Sequence, residues 1–306
     1  MPLFELNGLV NTSKIKHGTA IRECMKSYQR EAFIQLNKDK TGWFSGNCQD
    51  VAEYLAGNGF LVSGFGPDDI DYLIRSGRLT KETPFKGSIR TTRKIFGHLD
   101  IPQPKNMDIP DFILESPKLS KKYLNRKIVK TTVKRLKKHF EGDQLPGFRN
   151  PTVHVKSLDY QKGIMGTCMS RGYHLTYDDG RTPLPDDYKL LVSEEVDFAR
   201  ERRFFVRNAW IINEDINRDD LRLLEFAREL VADMHKFMPK HKVYCFDVGY
   251  SYPEYISSFE KRSISLVEFN EAYSSGNSGL NPATYAKFAL EGLKQYTNCL
   301  DSGWPF

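Results

Sequence analysis

The sequence predicts an α+β protein, with a mixed α/β N-terminal lobe ahead of a strand-rich C-terminal half. Three observations carry this prediction. Helix-spaced and strand-like segments alternate through the first hundred or so residues. A proline-punctuated stretch, Ile101-Pro102-Gln103-Pro104 to Asp108-Ile109-Pro110, suits neither regular helix nor central strand. From Pro151 onward a run of short apolar strands leads to a helix, two more strands and a last helix.

The elements follow in order. Gln49 to Ala56 has helical spacing and stops at Gly57-Asn58-Gly59. Phe60 to Phe65 reads as a short strand, and Asp68–Ser76 and Thr91–Leu99 as helices. Lys118 to His139 is basic, with Leu124, Ile128, Leu136 and Phe140 at multiples of four, which predicts one amphipathic helix with a lysine-rich outer face. Thr152–Lys156, Ile164–Met169, Tyr173–Tyr177 and Tyr188–Val196 read as strands, and Asp178-Asp179-Gly180 as a turn. Arg203–Val206 and Trp210–Ile212 form a hairpin about Arg207-Asn208-Ala209. Asp219 caps a helix that carries Leu223, Ala227, Leu230, Met234 and Phe237 and stops at Pro239. Val243–Val248 and Ile264–Phe269 are strands, and the last helix runs from about Pro282 to Thr297.

Composition bounds the chemistry. The 306 residues, 40% hydrophobic and 27% charged, fit two or three packed lobes of an ordinary globular protein. No apolar run approaches the roughly 20 residues that span a bilayer. The N-terminus lacks the order of a secretion signal, so a cytoplasmic location is expected, in the host if the chain is phage-encoded. Five scattered cysteines with no CxxC pair, and histidines with no HExxH, disfavour a transition-metal enzyme. A formal net charge of +6 suits a polyanionic partner, nucleotide or nucleic acid.

Asp247 and the pair Glu268/Asn270 end two apolar strands, and residues two apart share a sheet face. Singly, such residues also cap turns. Jointly, two carboxylates and an amide oxygen make a hard-oxygen set suited to Mg²⁺ shared with phosphates. Lys156 ends the strand Val153-His154-Val155-Lys156, where it either snorkels to solvent or meets a phosphate as a point charge. Lys162-Gly163-Ile164-Met165-Gly166 then offers two glycines for close backbone approach to a phosphate. It is neither GxGxxG nor GxxxxGK[ST], and reads as a hairpin flap over a nucleotide. The strand ending Ser193-Glu194-Glu195-Val196 can present backbone groups to an adenine edge, and an arginine of Glu201-Arg202-Arg203 can reach a phosphate or carboxylate.

Taken in order, strand-lysine, glycine hairpin, hinge strand, Glu-x-Arg strand, helix, strand-Asp and strand Glu-x-Asn, these pieces resemble the ATP-grasp superfamily over about residues 151–290. Within it the chain looks most like the phage and bacterial clade named for two arginines and a lysine. It is more distantly similar to eukaryotic cell-division-cycle proteins that help assemble a translation initiation factor. The resemblance implies two α+β subdomains clasping ATP. Residues 1–110 would form the N-terminal lobe and 111–306 the ATP-grasp domain, with a lid subdomain at about 111–195 and a metal-binding subdomain at about 196–306.

The resemblance further implies ATP and Mg²⁺ as cofactors. Lys156 would contact the α- and β-phosphates, with Lys162 the alternative principal ligand and Gly163 and Gly166 in the flap. Glu194 and Val196 would sit at the adenine hinge, with Glu201 and Arg203 on the next strand, Arg203 near the phosphates or acyl group. Asp247, Glu268 and Asn270 would hold magnesium. The family's strand lysine is usually followed by proline; here Ser157 follows. The activity implied is a carboxylate–amine (or peptide or thiol) ligase acting through an acyl phosphate, on substrates that are a small molecule, a peptide or a protein end. Two alternatives are a non-catalytic ATP-binding assembly or regulatory protein, and a nucleic-acid binder using the basic helix 118–138. A covalent nucleotidyltransferase is disfavoured, because Lys156 lacks the Lys-x-Asp-Gly context. No membrane partner is expected.

Overall fold

The computed structural model describes residues 30–102, 109–148, 152–158, 164, 166–173, 175–177, 181–218, 220–251 and 263–297, apart from one side chain. By packing, the chain forms two compact units, residues 1–103 with 272–306, and residues 104–271. The reading from sequence groups residues 272–306 with the strands before them; in packing they lie with the first 103 residues. No described helix is long and apolar enough to cross a membrane.

The first unit is built on a parallel sheet ordered β2-β1-β3, from β1 (Glu31–Gln35), β2 (Leu61–Phe65) and β3 (Phe85–Lys86). Parallel neighbours require a crossover, and α1 (Gly46–Gly57) supplies the first. Its cap is Ser45, whose side chain accepts from the Cys48 N–H. Helices α2 (Ile70–Arg75) and α3 (Ile89–His98) match the two expected after β2, whereas β1 has no counterpart in the sequence reading. Phe33, Phe85, Ile95 and Phe96 form its buried centre.

The second unit holds two antiparallel sheets. Short helices α4 (Asp111–Glu115) and α5 (Pro117–Tyr123) lead into β4 (Ile128–Thr132) and α6 (Val133–Phe140). The single basic helix expected over 118–138 is therefore corrected to helix, strand and helix. Asn125 takes a φ of 48°, which ends α5, and the β-branched run Ile128-Val129 and Thr131-Thr132 pairs as a strand instead. Thr132 then caps α6 by accepting from Arg135 N–H. The stretch is therefore not one continuous helix with a single lysine-rich face. Within it, Lys130 pairs with Asp111, Arg135 with Asp143 and Lys137 with Asp186.

The first sheet runs β4-β7-β5-β6, with β5 (Val153–Ser157), β6 (Thr167–Met169) and β7 (Lys189–Glu194). Among the described residues of the strand expected over Tyr173–Tyr177, Thr176 makes an isolated bridge to Pro183. Asp178-Asp179-Gly180 lies outside the described residues. The second sheet runs β11-β10-β8-β9, with β8 (Phe198–Arg207), β9 (Trp210–Ile211), β10 (Val243–Ser251) and β11 (Ser263–Glu271). Asn208 (φ 50°) and Ala209 (φ 64°) make the expected β8–β9 turn, whose left-handed residues match strand twist. Phe204, Val206, Tyr244, Phe246 and Phe269 pack one face of this sheet against α7 (Leu221–Phe237) through Leu223, Ala227, Leu230 and Met234. Asp220, not Asp219, caps α7, accepting from Leu223 N–H at 3.3 Å; Asp219 lies outside the described residues.

The last helix, α8 (Pro282–Thr297), belongs to the first unit, where its Gly292 lets Ala272 approach closely: a Cβ there would stand 2.3 Å from the Ala272 Cβ. Its Tyr285 donates to the Ser275 carbonyl at 2.8 Å.

Candidate functional site

With Phe204, Phe246 and Phe269 committed to the core, the other face of β8, β10 and β11 carries charge. Register sets it in a row: Arg203 is opposite Asp247, and Asp247 opposite Glu268. Glu201 and Asn270 stand two residues along their strands, on the same face. The Arg203 guanidinium grips Asp247 through two bonds, Nε to Oδ1 at 2.8 Å and Nη2 to Oδ2 at 2.6 Å, and lies 3.8 Å from Glu268. Glu268 Oε2 accepts from Lys156 Nζ at 2.5 Å, and Oε1 from Asn270 Nδ2 at 2.8 Å. The buried amide of Asn213 fixes the β8 backbone by accepting from Phe205 N–H and donating to the Arg203 carbonyl.

Lys156 reaches Glu268 from β5, in the other sheet. Alternation puts His154 on the same face, and Gly166 lies against both: a Cβ at Gly166 would be 2.9 Å from Lys156 Cε and 3.0 Å from His154 Nε2. Between the sheets of this unit is a cavity of about 410 Å³, within the range of small-ligand sites. Lys156, Gly166, Glu194, Val196, Glu201 and Glu268 line it, all six singled out from sequence. Arg203, Asp247 and Asn270 adjoin Glu268 in the strand row. Lys162 and Gly163 lie outside the described residues. Glu194 closes the end of β7: its carboxylate accepts from Lys127 N–H at 2.7 Å while its own N–H donates to the Lys127 carbonyl.

The site's electrostatics follow from burial and pairing. Burial pushes the Asp247 carboxyl up, against the opposing pull of Arg203. Burial also works to raise Glu268, but Lys156, Asn270 and Arg203 together outweigh it and bring that carboxyl down to about 2. Glu201 is pushed up by desolvation and by the charges of Asp247 and Glu268. His154 falls to about 4 through burial beside Lys156 and Arg126, so it is neutral near pH 7.

The donor chemistry of Asp247, Glu268 and Asn270 fits a hard divalent cation: two carboxylates and an amide on one face of paired strands. No group of three His, Cys, Asp or Glu among the described residues is drawn together as a metal centre. The two carboxylates are engaged by Arg203 and Lys156.

Sequence reasoning passed over Arg126, Cys168 and Phe198, which also line the cavity. His154 and Cys168 are cross-strand partners, as are His154 and Ser193. Alternation about Lys156 could have found His154; Arg126 was hidden inside the supposed helix.

Comparison with known proteins gives the family. No curated protein sequence matches the chain. Among solved structures it is similar to D-alanyl-alanine synthetase A from Vibrio cholerae, at 10% identity over 88% of this chain and 99% of that one, TM-score 0.42. It is similar to D-alanine–D-alanine ligase from Bacillus anthracis complexed with ATP, at 11% identity over 88% and 98%, TM-score 0.42. A third similar structure is a RiPP-associated ATP-grasp ligase from Chryseobacterium gregarium with ADP and a leader and core peptide, at 11% identity over 88% and 97%, TM-score 0.36. The model of an ATP-grasp domain family, the second family of the clade named for two arginines and a lysine, matches residues 123–288. That span holds Arg126, Lys156, Arg203, Asp247 and Glu268. The chain is a member of this second family of the two-arginine, one-lysine clade of ATP-grasp domains.

Proposed function

We propose that the cavity binds Mg·ATP and that the protein is an ATP-dependent carboxylate–amine ligase. The observation that carries this reading is the strand row Arg203–Asp247–Glu268 with Lys156 laid across it, at the rim of a nucleotide-sized cavity. In this reading Lys156, with Lys162, meets the α- and β-phosphates, the flap glycines Gly163 and Gly166 cover them, and Glu194 and Val196 flank the adenine. Glu201 faces the nucleotide from β8. Asp247, Glu268 and Asn270 hold magnesium, which supplies charge neutralisation on the phosphates when bound.

The ion pairs explain how such a site stays folded when empty. Each carboxylate keeps a cation, and the triphosphate then competes for Arg203 and Lys156, freeing oxygen donors. In the reaction a substrate carboxylate oxygen attacks the γ-phosphorus, the bond to the β–γ bridging oxygen breaks, and ADP leaves. An amine nitrogen then attacks the acyl carbon and loses a proton, and phosphate departs with the C–O electron pair. Arg203 offsets charge on the transferring group, and no protein nucleophile is required.

The test is thermal stabilisation by Mg·ATP. Wild type gains several degrees; Asp247→Ala and Glu268→Ala, folded by circular dichroism, gain none. Stabilisation that survives in both variants refutes the site. ADP and phosphate released only when a carboxylate and an amine are both supplied supports the ligase, whereas binding without turnover over a broad panel supports a non-catalytic ATP-binding protein.

A further inference from the structure

Arg126 sits just before β4 and points at the edge of the other sheet. Its Nη1 donates to the carbonyls of Leu266 at 2.7 Å and Leu124 at 3.3 Å, and its Nη2 to the carbonyl of Val267 at 2.9 Å. The neighbouring Asn125 donates to the Ile264 carbonyl at 2.7 Å. The guanidinium lies 5.2 Å from the Phe198 ring and has no carboxylate partner among the described residues. Burial without a counter-ion brings it down to about 10. An arginine whose charge is left uncompensated while its planar fork is spent on main-chain carbonyls serves geometry more than charge.

The geometry held is specific. β11 is an edge strand, and its register against β10 shifts between Asp247 and Val248: Asp247 pairs with Glu268, but Val248 with Leu266. Val267 is therefore the extra residue of a β-bulge, which re-aims the side chain that follows. That side chain is Glu268. Arg126 binds the carbonyls on both sides of the step, Leu266 and Val267.

We infer that Arg126 is a positioning residue for the metal site: it clamps the Val267 bulge and so holds the Glu268 carboxylate facing Asp247. The inference rests on the Mg·ATP reading above. Its action passes through the carbonyl fork, so charge alone does not replace it.

The test measures Mn²⁺ affinity of the full chain in its ADP complex by electron paramagnetic resonance, and ADP affinity without metal by calorimetry. Arg126→Met and Arg126→Ala lose about tenfold or more in Mn²⁺ affinity, beyond whatever they lose in metal-free ADP affinity. Arg126→Lys restores the charge but not the fork and remains deficient. Millimolar guanidinium restores Mn²⁺ affinity to Arg126→Ala. Equal loss of metal-free ADP binding, full recovery in Arg126→Lys, absence of guanidinium rescue, or unchanged Mn²⁺ affinity each overturns the inference. Should the Met and Ala variants not fold, Arg126→Lys decides by the same two affinities. Absence of metal-dependent ADP binding in the wild type overturns the Mg·ATP reading itself, and the inference with it.

Discussion

The Arg203–Asp247 pair can be removed in two orders. Asp247 is 3% exposed and Arg203 23%, and their two bonds are short and parallel. Removing one member of such a pair leaves an uncompensated charge and costs about 3–5 kcal/mol; replacing both by apolar residues of similar volume is often near neutral. Glu268, 3.8 Å from Arg203, inherits part of the freed charge, which puts Asp247→Leu at the low end, about 3 kcal/mol. Arg203→Met leaves Asp247 buried beside Glu268 and costs about the same. The double variant should recover, giving a coupling of at least about 2 kcal/mol in a double-mutant cycle. Urea unfolding followed by circular dichroism reads the four proteins, and Mg·ATP binding is absent from all three variants. A coupling below about 0.5 kcal/mol would refute the claim that the two side chains balance one another in the empty site.

Two further outcomes are expected. Gly166→Ala crowds the flexible end of Lys156, so the fold is kept while ATP affinity falls about tenfold, near 1.4 kcal/mol by calorimetry; unchanged affinity would show that Lys156 does not face the nucleotide. In the first unit, Lys86 is 8% exposed, donates to the Tyr273 carbonyl, and is lowered by burial from 10.5 to about 8. Between those values the unfolded chain holds a proton that the folded chain has released, so this group makes stability rise with pH, by up to about 3 kcal/mol. Melting temperatures from pH 7.5 to 10.5 should show this slope in wild type and lack it in Lys86→Met; equal slopes refute it.

The acidic half of the site was legible because a strand has a period of two. Glu268 and Asn270 declare a shared face, and the apolar residues between and around them declare which face is buried. Lys156 was legible for the same reason. The partners of these groups were not, because pairing Arg203 with Asp247 and Lys156 with Glu268 depends on register and on the meeting of two sheets, which no local pattern carries. The basic stretch misled because leucine and isoleucine spaced by four read as a helix, while the cost of β-branching over Ile128–Thr132 and the left-handed Asn125 decided otherwise. Arg126 fell in that stretch, and only tertiary structure shows what it binds.

The Asn125–Arg126 clamp also bears on how the chain assembles. A sheet edge is a row of unspent carbonyls, open to pairing with another chain. Here the groups that satisfy Ile264, Leu266 and Val267 come from about 140 residues earlier in the sequence. During synthesis they emerge long before the strand they cover. The edge of β11 thus meets its partners already made, and the interval in which it could recruit a second chain is short.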